Sequence, residues 1–117
     1  HSIARRQRQM CIRDRKVTPK FQDRLNKLGS YHFVGEARGI GLIAALEIVK
    51  DKETKQNFEP YGKIGKKIAE TCQKNGLIVR AIGDVIALCP PLIITETQID
   101  EMFDILESSL TEVEKTL

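Results

Sequence analysis

Between Lys20 and Leu28, apolar Phe21, Leu25 and Leu28 recur at i, i+4 and i+7, the spacing of one helix face. Gly29 follows as a helix stop. Phe33 to Arg38 alternates in the manner of a short strand. Leu42 to Val49 is richly apolar and fits either a buried strand or a helix, since periodicity alone does not separate them. Asp51 to Pro60 is polar and ends in proline, which predicts a loop. Ile64, Ile68 and Cys72 then mark the apolar face of an amphipathic helix that ends at Asn75-Gly76.

Leu77–Ala81 and Val85–Cys89 are two short apolar runs around Gly83-Asp84, the signature of a hairpin. Pro90-Pro91 closes the second run because neither residue can donate to a ladder. Thr95 with Gln98 predicts a capping box. Beyond it, Ile99, Met102, Phe103, Leu106, Leu110, Val113 and Leu117 trace one stripe along a final helix. The order helix, two strands, helix, two strands, helix predicts an α+β fold: an antiparallel sheet of about four strands with helices on one face. The stripe is the surface that packs on the sheet, with a partner-binding helix as the alternative. The other face of such a sheet is left for something else to cover.

Composition narrows the class. With 117 residues, 41% hydrophobic and 30% charged, the chain is at most one ordinary domain of globular character. No apolar run approaches the ~20 residues of a membrane helix. Cys11, Cys72 and Cys89 are odd in number and lack CxxC spacing. They read as reduced thiols of a cytosolic protein, with Cys72 and Cys89 in the core. No histidine is placed to activate Cys72 as a nucleophile.

The net charge of +3 is concentrated at one end. Residues 1–15 hold five arginines and one aspartate, whereas the remaining 102 residues hold 14 basic and 15 acidic side chains. The folded part is therefore not basic, which argues against nucleic acid as its partner. The leader 1–15 is expected to be foreign to the domain and disordered; the rival expectation is an arginine-rich arm that folds on RNA.

Two motifs compete with any other functional reading. Gly39-Ile40-Gly41-Leu42-Ile43-Ala44 matches the dinucleotide fingerprint G-x-G-x-x-A, with Glu59 twenty residues beyond the first glycine. That motif needs a buried strand before it and a second strand ending at the acid. Here Glu36 and Arg38 precede it, and Lys50 to Phe58 is almost wholly polar, so the glycines are better explained as hinge points between strands. His1 and His32 have no ligand at metal spacing. Lys50 to Lys55 mixes charges and is expected to be a solvated loop.

Arg80 ends the first run of the predicted hairpin, where a guanidinium can be aimed into a cleft and grip a carboxylate with two parallel hydrogen bonds. The bland alternative is a surface arginine paired with Asp84. Gly76 to Pro91, taken with Val34-Gly35-Glu36-Ala37-Arg38-Gly39-Ile40-Gly41-Leu42 upstream and Leu92-Ile93-Ile94-Thr95 downstream, resembles the C-terminal small domain of class III aminotransferases, in their omega-aminotransferase branch. The resemblance runs from about Phe21 to Leu117. Ala37, where the family more often has valine, and Ser30-Tyr31-His32, without a proline common there, are minor departures.

The resemblance implies a pyridoxal-phosphate (PLP) enzyme of the aspartate-aminotransferase fold that carries an amino group from an amine or omega-amino acid to a keto acid such as pyruvate. It divides the chain into the leader 1–15 and a small domain at 16–117. It implies a missing large domain that supplies the lysine, the acid and the phosphate cup for PLP, so that no catalytic or cofactor-binding residue is expected within this segment and the segment alone is expected to be inactive. Arg80 takes the place of the arginine that binds the substrate carboxylate and swings aside for a hydrophobic amine, with Gly83 leaving room for that motion. Arg38 takes a structural role at the strand or domain boundary. The complete enzyme is expected to be a cytoplasmic homodimer. A small non-enzymatic interaction module with a basic RNA-binding arm is the other reading.

Overall fold

The computed structural model describes residues 17–90 and 94–117. Residues 17–27 are helical (α1) and tighten into a 3-10 turn at Leu28–Ser30. The strands are β1 (Val34–Ile40), β2 (Ile43–Ile48), β3 (Arg80–Ile82) and β4 (Val85–Leu88), and the remaining helices are α2 (Lys63–Lys74) and α3 (Glu96–Glu114). The sheet is antiparallel with the order β1-β2-β4-β3, so β1 and β3 are its edges.

One alternation rule positions everything. In β2, Ala44, Leu46 and Ile48 are buried while Ile43, Ala45 and Glu47 are not. In β4, Ile86 and Leu88 are buried while Val85 and Ala87 are only half so. Successive strand side chains point to opposite faces, so one face meets the helices and the other is left bare. The buried side joins Phe21 and Leu25 of α1, Ile68 and Cys72 of α2, and the α3 stripe in one cluster. Phe21 and Phe103 meet edge to face at 5.3 Å between ring centroids, which locks α1 onto α3.

The α3 prediction holds in detail. The Thr95 side chain accepts the Gln98 amide at 3.2 Å and the Gln98 side chain accepts the Thr95 amide at 3.0 Å, the reciprocal capping box. The predicted stripe is buried from Ile99 to Val113. Leu117 lies beyond the helix and is 44% exposed, so it leaves the stripe. Leu42–Val49 resolves as strand from Ile43, because its alternate residues are needed to bridge β1 and β4. β1 runs on to Ile40, past its charged residues, because Glu36 and Arg38 point to the bare face.

Two expectations change and one holds. Residues 77–79 belong to no strand, so β3 is shorter than its apolar run. Cys89 is exposed: it follows Ala87 in strand parity and comes one residue after β4 ends, so it leaves the core that Cys72 occupies. The glycines of the fingerprint open a β-hairpin, not a helix. Gly41 sits at φ 57° in the turn that brings Ile40 opposite Ile43, and a dinucleotide site has no helix N-terminus there. Within the loop 51–60, Lys52 and Lys55 donate to the Gly29 and Gly35 carbonyls, so its charges also tie it to the body.

Candidate functional site

The bare face of the sheet is where chemistry-bearing groups gather. Register places Arg38 opposite Ala45, Ala45 opposite Ala87, and Ala87 opposite Arg80. One row therefore crosses all four strands, with an arginine at each edge and two alanines between. Three strand spacings separate the edges by roughly 14 Å at the backbone. The small alanines leave a shallow floor, and a groove of about 420 Å³ lies over Ala45 and Ala87 beside Arg38, Ile40 and Ile43.

The two arginines differ in their surroundings. Arg38 donates from Nη1 to Glu36 at 3.2 Å and to Glu47 at 3.1 Å. Glu36 and Glu47 face each other across β1 and β2, a like-charge pair that would repel. Arg38 bridges them, so its charge is already used to hold two strands together.

Arg80 is exposed and has no acidic partner within 4 Å among the described residues. Its direction follows from alternation: Val79 and Ala81 pack on the core, leaving Arg80 and Ile82 to the bare face, while Ile78, ahead of the strand, lies at the sheet edge beside α2. Ile82 is 63% exposed, so this guanidinium has an apolar neighbour on that face. An unpaired arginine beside an apolar side chain has free N–H donors for an arriving anion.

Asp84 is not its counter-ion. That carboxylate is 1% exposed and its Oδ1 accepts the Gly65 amide at 2.8 Å, while Oδ2 has no hydrogen-bond partner. Gly83 does not serve as free space for a moving side chain either. It adopts φ 62° at the turn, and a Cβ there would stand 2.4 Å from Cε2 of Tyr61. Sequence reasoning missed Tyr61, Gly65 and Asp84 as a unit. Their partners lie about twenty residues apart, and a Gly-Asp turn carries no local sign of being buried.

The remaining titratable groups offer little chemistry. Burial pushes the Cys72 thiol above its ordinary range, against a smaller opposing effect of Ser109, so little of it is available as thiolate. No three His, Cys, Asp or Glu residues gather as a metal site among the described residues. None of the described helices is long and apolar enough to cross a membrane. Every described lysine is exposed or half-buried, whereas a lysine that holds PLP must be desolvated to act as a nucleophile.

Comparison with known proteins follows the same line. Residues 3–110 match the class-III aminotransferase family model, a span that enters the leader, which itself lies outside the described residues. The chain is 37% identical over 110 residues to gamma aminobutyrate transaminase 1, mitochondrial, of Solanum lycopersicum, covering 94% of this chain and 21% of that protein. It is 43% identical over 95 residues to putrescine–pyruvate aminotransferase of Pseudomonas aeruginosa, covering 81% and 21%. An aminotransferase from Vibrio fluvialis, solved in its PMP-bound form, superposes with a TM-score of 0.85 at 43% identity, over 91% of this chain and 24% of that one. The chain thus spans about a fifth of the length of the curated relatives it matches. PLP and its aminated form PMP are the cofactors carried by solved relatives. The reading as a stand-alone module with an RNA-binding arm gains no support from these matches. With its α+β sheet, its matching blocks and its superposition all in agreement, the chain belongs to the class-III aminotransferase family.

Proposed function

We propose that residues 16–117 form the C-terminal small domain of a PLP-dependent transaminase, and that Arg80 binds the carboxylate of its keto-acid or amino-acid substrate. The reaction would move an amino group from an amine or omega-amino acid to an acceptor such as pyruvate. The observation that carries this is the contrast within one cross-strand row: Arg38 is neutralised by Glu36 and Glu47, while Arg80, with Ile82 beside it, has no acidic partner among the described residues. A carboxylate reaching the bare face meets one available guanidinium.

PLP, when bound, supplies an electron sink for the carbanion formed at the amine carbon. Its lysine and phosphate partners would come from a large domain outside this chain, which would also cover the bare face. The small domain then contributes recognition. Arg80 offers a planar fork matched to a carboxylate, and its flexible stem lets the head leave when a neutral amine enters. A homodimer with its sites at the subunit boundary, in the cytoplasm, completes the reading.

The test is a holoenzyme in which residues 17–117 replace the matching segment of the Pseudomonas aeruginosa relative. Arg80→Ala is expected to raise the pyruvate KM roughly 10- to 100-fold, the worth of a charge-assisted pair. Kinetics with an aromatic amine should change by less than about threefold. Equal losses for both substrates would make Arg80 a structural residue.

A further inference from the structure

The hairpin that carries Arg80 is short and sits at the sheet edge, so its position depends on how its tip is fixed. β3 has three residues and pairs with one neighbour, β4. Its tip, Gly83-Asp84, is held from several sides. Asp84 Oδ1 accepts the amide of Gly65, the third residue of α2, at 2.8 Å. The first amides of a helix lack intrahelical partners, and Gly62 at the N-cap has no side chain to satisfy them. Asp84 performs that capping task from another element.

The backbone of the tip is fixed as well. The Ile48 amide of β2 donates to the Asp84 carbonyl at 2.8 Å. A Cβ on Gly65 would stand 2.2 Å from the Gly83 carbonyl oxygen, so α2 and the tip meet backbone to backbone. Tyr61 covers the other side of Gly83.

We propose that Asp84 is the positioning residue for the carboxylate-binding arginine. By pinning the hairpin tip to α2, it fixes the register of β3 and the direction in which Arg80 leaves the sheet. The inference rests on the reading of Arg80 given above. A one-residue slip of β3 would turn Arg80 toward the helices. A displacement of about 1 Å would already cost a two-pronged guanidinium–carboxylate contact one of its bonds. Asp84 also acts by where its carboxyl group is placed: directed at α2 and buried, it leaves Arg80 without an acid among the described residues to compete with substrate.

Steady-state kinetics on the holoenzyme carrying this segment test the idea, with thermal melts to confirm folding. Asp84→Ala is expected to raise the pyruvate KM roughly tenfold while the KM of an aromatic amine moves less than about twofold. In Asp84→Asn the amide oxygen can still accept the Gly65 N–H, so the pyruvate KM should return to within about threefold of wild type. Should Asp84→Ala fail to fold, Tyr61→Ala loosens the same tip from an exposed position and should shift selectivity in the same direction. A fall in kcat for both substrates, or an equal rise of both KM values, overturns the proposal while Arg80→Ala still discriminates. Loss of discrimination in Arg80→Ala itself removes both readings.

Discussion

Arg24 is the side chain on which the helical layer closes. It is 15% exposed and reaches from α1 to three acids spaced along one face of α3: Asp100 and Asp104 at 2.9 Å and Glu107 at 3.3 Å. Its guanidinium also lies 5.5 Å from the centre of the Phe103 ring. Burial opposes its charge, but the hydrogen bonds to Asp104 and Asp100 and the field of Glu107 outweigh that and raise its pKa. Without Arg24, three carboxylates would face each other. Arg24→Ala should therefore destabilise the fold by about 1–3 kcal/mol, readable as a shifted denaturant midpoint. Asp100 gives the pH signature. Lys20 first, then Arg24, holds its carboxyl below the usual range against a smaller opposing effect of burial. A depressed folded pKa means stability that is present above the unfolded value, near 4, and lost as pH falls through the folded one. The melting temperature should drop as pH falls below the unfolded value of about 4, and Asp100→Asn should flatten that slope; an unchanged slope would place the acid sensitivity elsewhere.

At the scale of elements, α3 is the one the chain specifies most directly, because every signal for it is local. Thr95 and Gln98 lie three residues apart and cap each other, and the stripe that follows is buried as spaced. Thr95→Ala removes the acceptor for the Gln98 amide and should cost about 1 kcal/mol, measured as a fall in unfolding free energy. If the cost were nil, the cap would be decorative. The sheet was legible only in part. Alternation marked β1 as a strand and the Gly83-Asp84 turn marked the β3–β4 hairpin, yet β2 stayed open between strand and helix, and the order β1-β2-β4-β3 depends on long-range pairing that no local pattern records. For that reason the row Arg38–Ala45–Ala87–Arg80 emerges only from the register. Arg80 itself was singled out by family resemblance, not by spacing. Asp84 looked like an ordinary turn residue because the amide it caps belongs to α2. Cys89 looked apolar enough for the core, but strand parity put it on the bare face.

At the scale of the whole molecule, the bare face is the unresolved surface energy of the fold. Ile40, Ile43, Ile78 and Ile82 are each more than half exposed, at 80%, 59%, 86% and 63%. Pairing and alternation direct Ile40, Ile43 and Ile82 to the side opposite the helices, while Ile78 lies ahead of β3 at the sheet edge, beside α2. The edges differ in their defences. β1 carries Glu36 and Arg38 along its length, a charged edge that discourages pairing with another chain. β3 has only its brevity and Arg80. Covered by a large domain, these isoleucines would be buried; in the 117-residue chain alone they meet water. An exposed apolar patch of this kind drives association, so the isolated chain should self-associate with rising concentration in sedimentation velocity. Ile40→Glu combined with Ile82→Lys puts a charge at each edge of the patch without touching the buried cluster. The double variant should sediment as a monomer and keep its stability to within about 1 kcal/mol, since exposed sites contribute little to folding. A wild-type chain that stayed monomeric and bound no hydrophobic dye would mean that this face needs no cover, and would count against a large domain seated on it.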